Sequence, residues 1–366
     1  MQNIFGEEMK HEKPEKKQVV VDPVNAFLDA ASHMELSKNS LSICSYIAKN
    51  ENKLLATNIK SFLVMPYNGN EENGIYEYTL SKAFKKLDGF NTNNNTLEKF
   101  PQTEIDITGE WVDINSVQSQ LMLDAFRFVS DDETKYFMNG IYFDEGNVVS
   151  TDGRRLFSSQ GFDKFPAVIL PNSKMLEWLL KKGANIKYKI DKAFYVFQFE
   201  YKGNVFYYCT TNIEGQFPNW RKVVPEKQTY TINILDIIAW KDIYSKTMQL
   251  KNKDTMERII IKHDKDDMVI VEWENKTMGT MQWKGFYDND RIENENKCWK
   301  HIEDTIENPR KPFVSLLTSL AINYKYLNDA LTLKELKEIQ FTSFVKAITF
   351  IYKDGSNHII MPMQLD

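Results

Sequence analysis

The chain has 366 residues, 42% hydrophobic and 13% aromatic, which suits two or three packed domains better than one core. Its 51 acidic residues outnumber 46 basic ones, for a net charge of −5. That balance argues against a protein that grips nucleic acid by overall charge, though not against one that gathers its cations on one surface. No apolar run reaches the ~18 residues of a membrane span. Cys44, Cys209 and Cys298 are far apart and the five histidines are scattered. This spacing argues for free thiols in a reducing cytoplasm and against a structural zinc site, and no metal or cofactor is expected.

In chain order, residues 1–17 read as a mobile charged tail without the apolar stretch of a secretory signal. A first unit over 18–110 opens at Asp22-Pro23, an N-cap with proline at the first helical position, before "VNAFLDAASHM". A strand–turn–strand follows in "YIAKNENKLLATNIKSFLV". Then "TLSKAFKKL" reads as a helix, with Leu80, Ala83, Phe84 and Leu87 on one side and Lys82, Lys85 and Lys86 on the other. Only "DGFNTNNNTLEK" separates it from Phe100-Pro101.

A middle unit over 111–227 repeats the plan. Asn115 or Ser116 opens "VQSQLMLDAFRFV", where Val117, Leu121, Ala125 and Phe128 share a face. The hairpin is "GIYFDEGNVVSTDGRRLFS", and the second helix "NSKMLEWLLKKG" buries Leu176, Leu179 and Leu180 and stops at Gly183. Three strand-like runs, "NIKYKI", "FYVFQFEY" and "VFYYCTT", lead to Phe217-Pro218. The last unit, 228–366, has a helix in "NILDIIAWKDIYSKTM", a hairpin turning at Asp264 to Asp267, and a polar insertion near 283–312 that reads as surface. A second helix follows in "NYKYLNDAL".

Helix, hairpin, helix and further strands, three times over, describe an α+β protein of three repeated domains, the first short of two or three strands. Three unrelated domains sharing common turn chemistry would give a similar pattern. The acids at Asp131-Asp132-Glu133 and Asp264-Asp266-Asp267 suggest a magnesium site, but both clusters fall at turns, where solvated acids are the rule. No nucleophile with a paired base, no phosphate-cradling glycine loop and no HExxH pair is present, so no catalytic residue is expected.

Three stretches, "YFMNGIYFDEGNVVSTDGRRL", "IEGQFPNWRKVVP" and the C-terminal "HIIMPMQL", together resemble the bacterial replicative sliding clamp, the β subunit of DNA polymerase III. The resemblance is good from about Asn115 to Pro225 and over about the last fifty residues, thin over residues 1–110, and absent in the insertion. It implies a DNA-clamp fold of three domains, each with two helices and small antiparallel sheets, closed head to tail as a homodimer ring. The implied function is a non-catalytic, cytoplasmic and nucleoid-associated processivity factor. It encircles double-stranded DNA, is placed by a clamp loader, and tethers a polymerase catalytic subunit through a peptide pocket. A clamp-like protein that binds such partners without closing a ring is the alternative.

By the same resemblance, the pocket wall comprises Met138, Thr151, Gly153, Arg154, Arg155, Leu156, Pro218, Lys222 and Val223, completed by Ile359, Ile360, Met361, Pro362, Met363 and Gln364. Arg155 and Lys222 are expected at its rim, and Phe217 and Trp220 as strand anchors in the core. The ring lining needs diffuse cations and no base-reading contacts. Lys82, Lys85, Lys86, Lys174, Lys181, Lys182, Lys241, Lys246 and Lys325 fall on or beside the helices that would form it, and Tyr136 matches an aromatic at the rim of the hole. Gln364, where the family often has arginine, the identity of Arg154, and Asp366 beyond the usual terminal leucine are departures that would retune the partner peptide.

Overall fold

Four helices begin where the sequence places a capping side chain. A computed structural model of the chain describes residues 22–36, 41–77, 85–86, 97–191, 194–225, 230–232, 255–263, 268–275, 279–286, 319–341 and 346–363. Helix α1 (Pro23–Ala31) is capped by the Asp22 carboxylate, which accepts from the Val24 amide. Helix α2 (Ser116–Phe126) opens with a reciprocal Asn115–Gln118 capping box. Ser173 caps α3 (Lys174–Lys182), and Asn323 caps α4 (Tyr324–Thr332). Leu176, Leu179 and Leu180 are buried as their spacing predicts, whereas Val117 is 61% exposed and leaves the buried face of α2 to Leu121, Met122 and Ala125. Gly183 ends α3 at an ordinary negative φ of −69°. It is needed there for close approach, since a Cβ would lie 2.6 Å from the Leu179 carbonyl oxygen and 3.1 Å from Phe199.

Among the described residues the strands form three antiparallel sheets. The first runs β5 (Lys85–Lys86), β4 (Gly74–Glu77), β1 (Tyr46–Asn50), β2 (Lys53–Thr57), β3 (Ser61–Pro66), β13 (Asn204–Thr211), β12 (Phe194–Tyr201), β11 (Ala184–Asp191) and β6 (Val112–Asp113). The second runs β10 (Val168–Pro171), β7 (Gly140–Asp144), β8 (Gly146–Thr151), β9 (Arg155–Phe162), β21 (Asn357–Ile360), β20 (Ile348–Tyr352), β19 (Leu336–Phe341) and β14 (Tyr230–Ile232). The third runs β17 (Gly279–Phe286), β16 (Met268–Asn275), β15 (Thr255–His263) and β18 (Ser319–Asn323).

Two seams hold the units together. Strand β3 of the first unit pairs with β13 of the middle unit, setting Phe62 opposite Cys209 and Ser61 opposite Thr210. Strand β9 of the middle unit pairs with β21 of the last, setting Leu156 opposite Ile359 and Arg155 opposite Ile360. In each case a strand of one unit's hairpin meets a strand that follows the next unit's second helix. Ladder hydrogen bonds therefore run continuously across each seam.

Three sequence expectations are corrected. Lys85 and Lys86 lie in a strand paired with Tyr76 and Glu77 and not in the lysine-faced helix that the spacing suggested; the rest of that segment lies outside the described residues. The start of the expected insertion, residues 283–286, belongs to β17 and pairs with β16. The stretch "FPNWRKVVP" is a single 3₁₀ turn at Trp220–Lys222 and not a strand. Lys82, the first helix of the last unit with Lys241 and Lys246, Gln364, the tail and residues 287–312 lie outside the described residues.

The helices cover the sheets through a core that includes Phe27, Leu121, Met122, Leu176, Leu179, Phe199 and Phe206. Cys44 and Cys209 are free and buried, and burial pushes the Cys209 thiol up.

Candidate peptide-docking and DNA-lining sites

The β9:β21 seam carries a separate apolar cluster of Val149, Leu156, Ile169, Phe217, Trp220, Ala347 and Ile359. Phe217 stacks on Tyr142 with ring centres 4.7 Å apart. The Trp220 indole donates to Asp144 at 3.0 Å, and the Arg221 guanidinium lies over the Trp220 ring while pairing with Asp144 and Glu145. The two aromatics of "FPNWRKVVP" are thus core anchors, as expected. What they anchor is a turn that brings Lys222 and Val223 to the surface beside the seam.

The β8–β9 turn leads into the seam strand β9. Asp152 accepts from the Arg154 and Arg155 amides, and the Thr151 hydroxyl donates to the Arg155 carbonyl at 2.7 Å while accepting from the Gly153 amide at 3.0 Å. Gly153 has φ +89°, a conformation only glycine adopts cheaply, and the buried Met138 methyl lies 3.9 Å from where its Cβ would be. Strand β21 then leaves the seam. Met361 donates its amide to the Arg154 carbonyl at 3.0 Å, and Met363 donates to Ala321 at 2.8 Å, tying the chain end to β18.

The expected wall therefore divides into a buried part and a surface part. Met138, Thr151, Leu156, Ile359 and Ile360 are buried. Gly153, Arg154, Lys222, Val223 and Met361 are exposed, and Pro218, Pro362 and Met363 are half-buried. Arg154 and Lys222 form no ion pair among the described residues. Together these groups offer adaptable apolar surface flanked by free cations, suited to an extended segment bearing apolar and acidic side chains.

Arg155 does not stand at the rim. Its side chain is 12% exposed and bound on every side: to Asp152 at 2.9 Å, to Asp329 of α4, and to the Arg127 carbonyl at 3.1 Å. The guanidinium is sandwiched between Phe128 (4.8 Å) and Tyr326 (4.5 Å). It bolts the turn, the end of α2 and α4 together. A second bolt joins buried Asp124 of α2 to Lys334 at 2.6 Å. Between them lies His358, fully buried, edge-on to Phe128 at 4.4 Å. Burial, then the charges of Arg155 and Arg127, hold its pKa well below the usual histidine value. Nothing in the sequence announced this junction, because its partners are brought together only by the seam.

Of the expected lining lysines, Lys174, Lys181, Lys182 and Lys325 are exposed on helices. Lys174 pairs with Glu35 (3.1 Å) and Lys181 with Glu177 (2.8 Å), while Lys182 and Lys325 form no ion pair among the described residues. Helix α2, packed against α3, contains no lysine or arginine. Tyr136 is exposed and edge-on to Phe137. Asp132 caps its own 3₁₀ turn by accepting from Thr134, and among the described residues no cluster is disposed to hold a metal ion.

The chain matches no protein-family model. It is 28% identical over 255 residues to the beta sliding clamp of Treponema pallidum, a match covering 65% of this chain and 61% of that protein. The matched part thus spans about three fifths of the length of the curated relative. Among solved structures it is similar to Caulobacter crescentus pol III beta, with a TM-score of 0.67 at 15% identity over 93% of this chain and 98% of the other. A sliding clamp from Bartonella birtlesii, bound to griselimycin, gives a TM-score of 0.65 at 16% identity over the same shares. The Pseudomonas aeruginosa sliding clamp gives 0.64 at 15% identity, again over the same shares. The chain is thus similar in sequence to a bacterial beta sliding clamp over part of its length, and it has the fold of the solved clamp structures.

Proposed function

We propose that the protein is a non-catalytic DNA sliding clamp, a cytoplasmic processivity factor of three units divided near residues 110 and 227. It encircles duplex DNA and holds a polymerase subunit through the surface where Met361 and Val223 flank the β9:β21 seam. The observation that carries this reading is that seam: an apolar cluster on rigid strands, opened to solvent by two proline-bordered segments and rimmed by free Arg154 and Lys222. Lys182 and Lys325, with the paired Lys174 and Lys181, supply a diffuse cationic face that holds phosphates without reading bases. A clamp loader places the ring, and a second copy completes it.

The test is topological. Protein loaded on nicked circular DNA stays bound through high salt and leaves when the circle is cut. Equal loss from circular and linear DNA would refute encirclement.

A second reading, a clamp-fold protein that binds such partners without closing a ring with itself, is favoured by one observation. Strands β3 and β9 each meet a strand that follows the next unit's second helix. The corresponding edge of β17 meets none among the described residues, and between Lys86 and Val112 no strand is described that a second copy could offer it. Light scattering separates the two: a stable dimer supports the ring, and a monomer at every concentration supports the second reading.

A further inference from the structure

The peptide-docking framework of the β9:β21 seam is built twice. In the β2–β3 turn, the Thr57 hydroxyl donates to the Ser61 carbonyl at 2.8 Å and accepts from the Ile59 amide at 2.9 Å, while Asn58 accepts from the Ser61 amide. These are the bonds that Thr151, Asp152 and Gly153 make in the β8–β9 turn. The seam below matches as well: Leu55, Phe62, Ile75, Phe100 and Cys209 of one cluster take the places of Val149, Leu156, Ile169, Phe217 and Ile359 of the other. The exits correspond too, with Ile213 donating to Ile169 at 2.9 Å where Met363 donates to Ala321 at 2.8 Å.

One residue breaks the equivalence. Where the second turn has glycine at φ +89°, the first has Ile59 at φ +78°. Among the described non-glycine residues with positive φ, it alone is β-branched, and that backbone is strained for such a side chain. The strain gains no burial, because Ile59 is 45% exposed. Nearby surface is apolar as well. Leu36 follows Glu35, whose carbonyl accepts from Asn58, and Leu41 precedes the 3₁₀ turn that enters β1 at the same end of the sheet. Lys60, at the position of Arg154, is exposed and forms no ion pair among the described residues, while Glu35 beside it is already tied to Lys174.

We propose that the β3:β13 seam is a second docking site, rimmed by Ile59, Leu36 and Leu41. Its occupant is an extended partner segment whose apolar side chain packs on Ile59 and whose carboxylate meets Lys60. Strain held at an exposed apolar side chain fits a contact surface. Equivalence to the β9:β21 site, on whose reading as a peptide site this rests, fixes the occupant's class, and the free cation fixes its charge. One chain would then hold two partners, one at each seam.

The test titrates the full chain with a fluorescent peptide of alternating aspartate, leucine and phenylalanine, recording stoichiometry by calorimetry. Two sites are expected. Ile59→Gly, which relieves the backbone and removes the side chain, should abolish one site in a folded protein. Met361→Asp should abolish the other. A single site in the wild type that Met361→Asp removes, or two sites untouched by Ile59→Gly, overturns the second site and leaves the first standing. A wild-type chain that binds no peptide overturns the peptide reading at both seams. Self-association that Ile59→Gly abolishes would make a second copy the occupant and overturn the partner assignment.

Discussion

Replacing His358 with phenylalanine should flatten the acid sensitivity of the fold. The imidazole is fully buried between Phe128 and Phe350, and among the described residues its one polar contact, at 3.5 Å, is the Tyr352 hydroxyl. Folded, it stays neutral well below the reference value of 6.5, whereas the unfolded chain takes up a proton near that value. A depressed folded pKa contributes stability that is fully present above the unfolded pKa and is lost as pH falls toward the folded one. From about pH 7.5 to about pH 5.5 the unfolded state gains close to one proton's worth of stabilisation, a loss of about 1.4 kcal/mol. Phenylalanine keeps the edge-to-face contact and does not titrate, so any repacking cost is the same at both pH values. The other carboxylates and histidines contribute alike to both proteins. Urea-unfolding free energies at the two pH values should therefore differ by about 1.4 kcal/mol more in the wild type than in the variant. An equal drop in both would show that His358 charges in the folded state, and the account of the junction would fail.

Other consequences separate buried from exposed roles. Arg155→Ala should cost about 3–5 kcal/mol, because it strips Asp152 and Asp329 of a desolvated partner, while Arg154→Ala one residue away should cost under ~0.5 kcal/mol; denaturant titration reads both. Ile59→Gly should stabilise by ~1 kcal/mol through relief of its left-handed backbone, seen as a raised melting temperature. Met361→Ala with Val223→Ala should weaken partner-peptide binding at least tenfold in a fluorescence titration with the melting temperature unchanged. Ile360→Ala is no substitute, since that fully buried side chain costs about 2–5 kcal/mol to truncate. Lys182→Gln and Lys325→Gln should each reduce the slope of log affinity against log salt by about 0.9 on duplex DNA, and an unchanged slope would place them away from it.

How much was legible follows from how local each signal is. Helix caps are local: of the four helices among the described residues, two begin at the expected Asp22 and Asn115, and Ser173 and Asn323 cap the other two by the same local bond. Hairpins are nearly as local, since turn residues and alternation lie within a dozen positions. The helix expected across Lys85 and Lys86 failed at those two residues because a 3.6-residue spacing over so short a run is matched by chance, and their pairing with β4 outweighs propensity. Side-chain roles at the peptide site were legible only in part. Position along the motif put Arg155 next to the surface, but its orientation is set by Asp329, 174 residues away. A single sequence carries no trace of that pairing.

The two seams bear on function together. A clamp that closed with a second copy would need, at β17, the kind of strand that β13 and β21 provide within the chain. The first unit, whose β2–β3 turn carries the strained Ile59, is the unit in which no such strand is described. The strained turn is thus a departure of the first unit, while the β9:β21 seam keeps its glycine, apolar cluster and exit strand. An unaltered glycine turn at the β9:β21 seam beside a strained isoleucine turn at the β3:β13 seam fits two contacts of different chemistry, one in each half of the chain. The mass of the protein in solution and the stoichiometry of peptide binding examine the two halves of that argument separately: a dimer would undercut the first, and a lone peptide site the second.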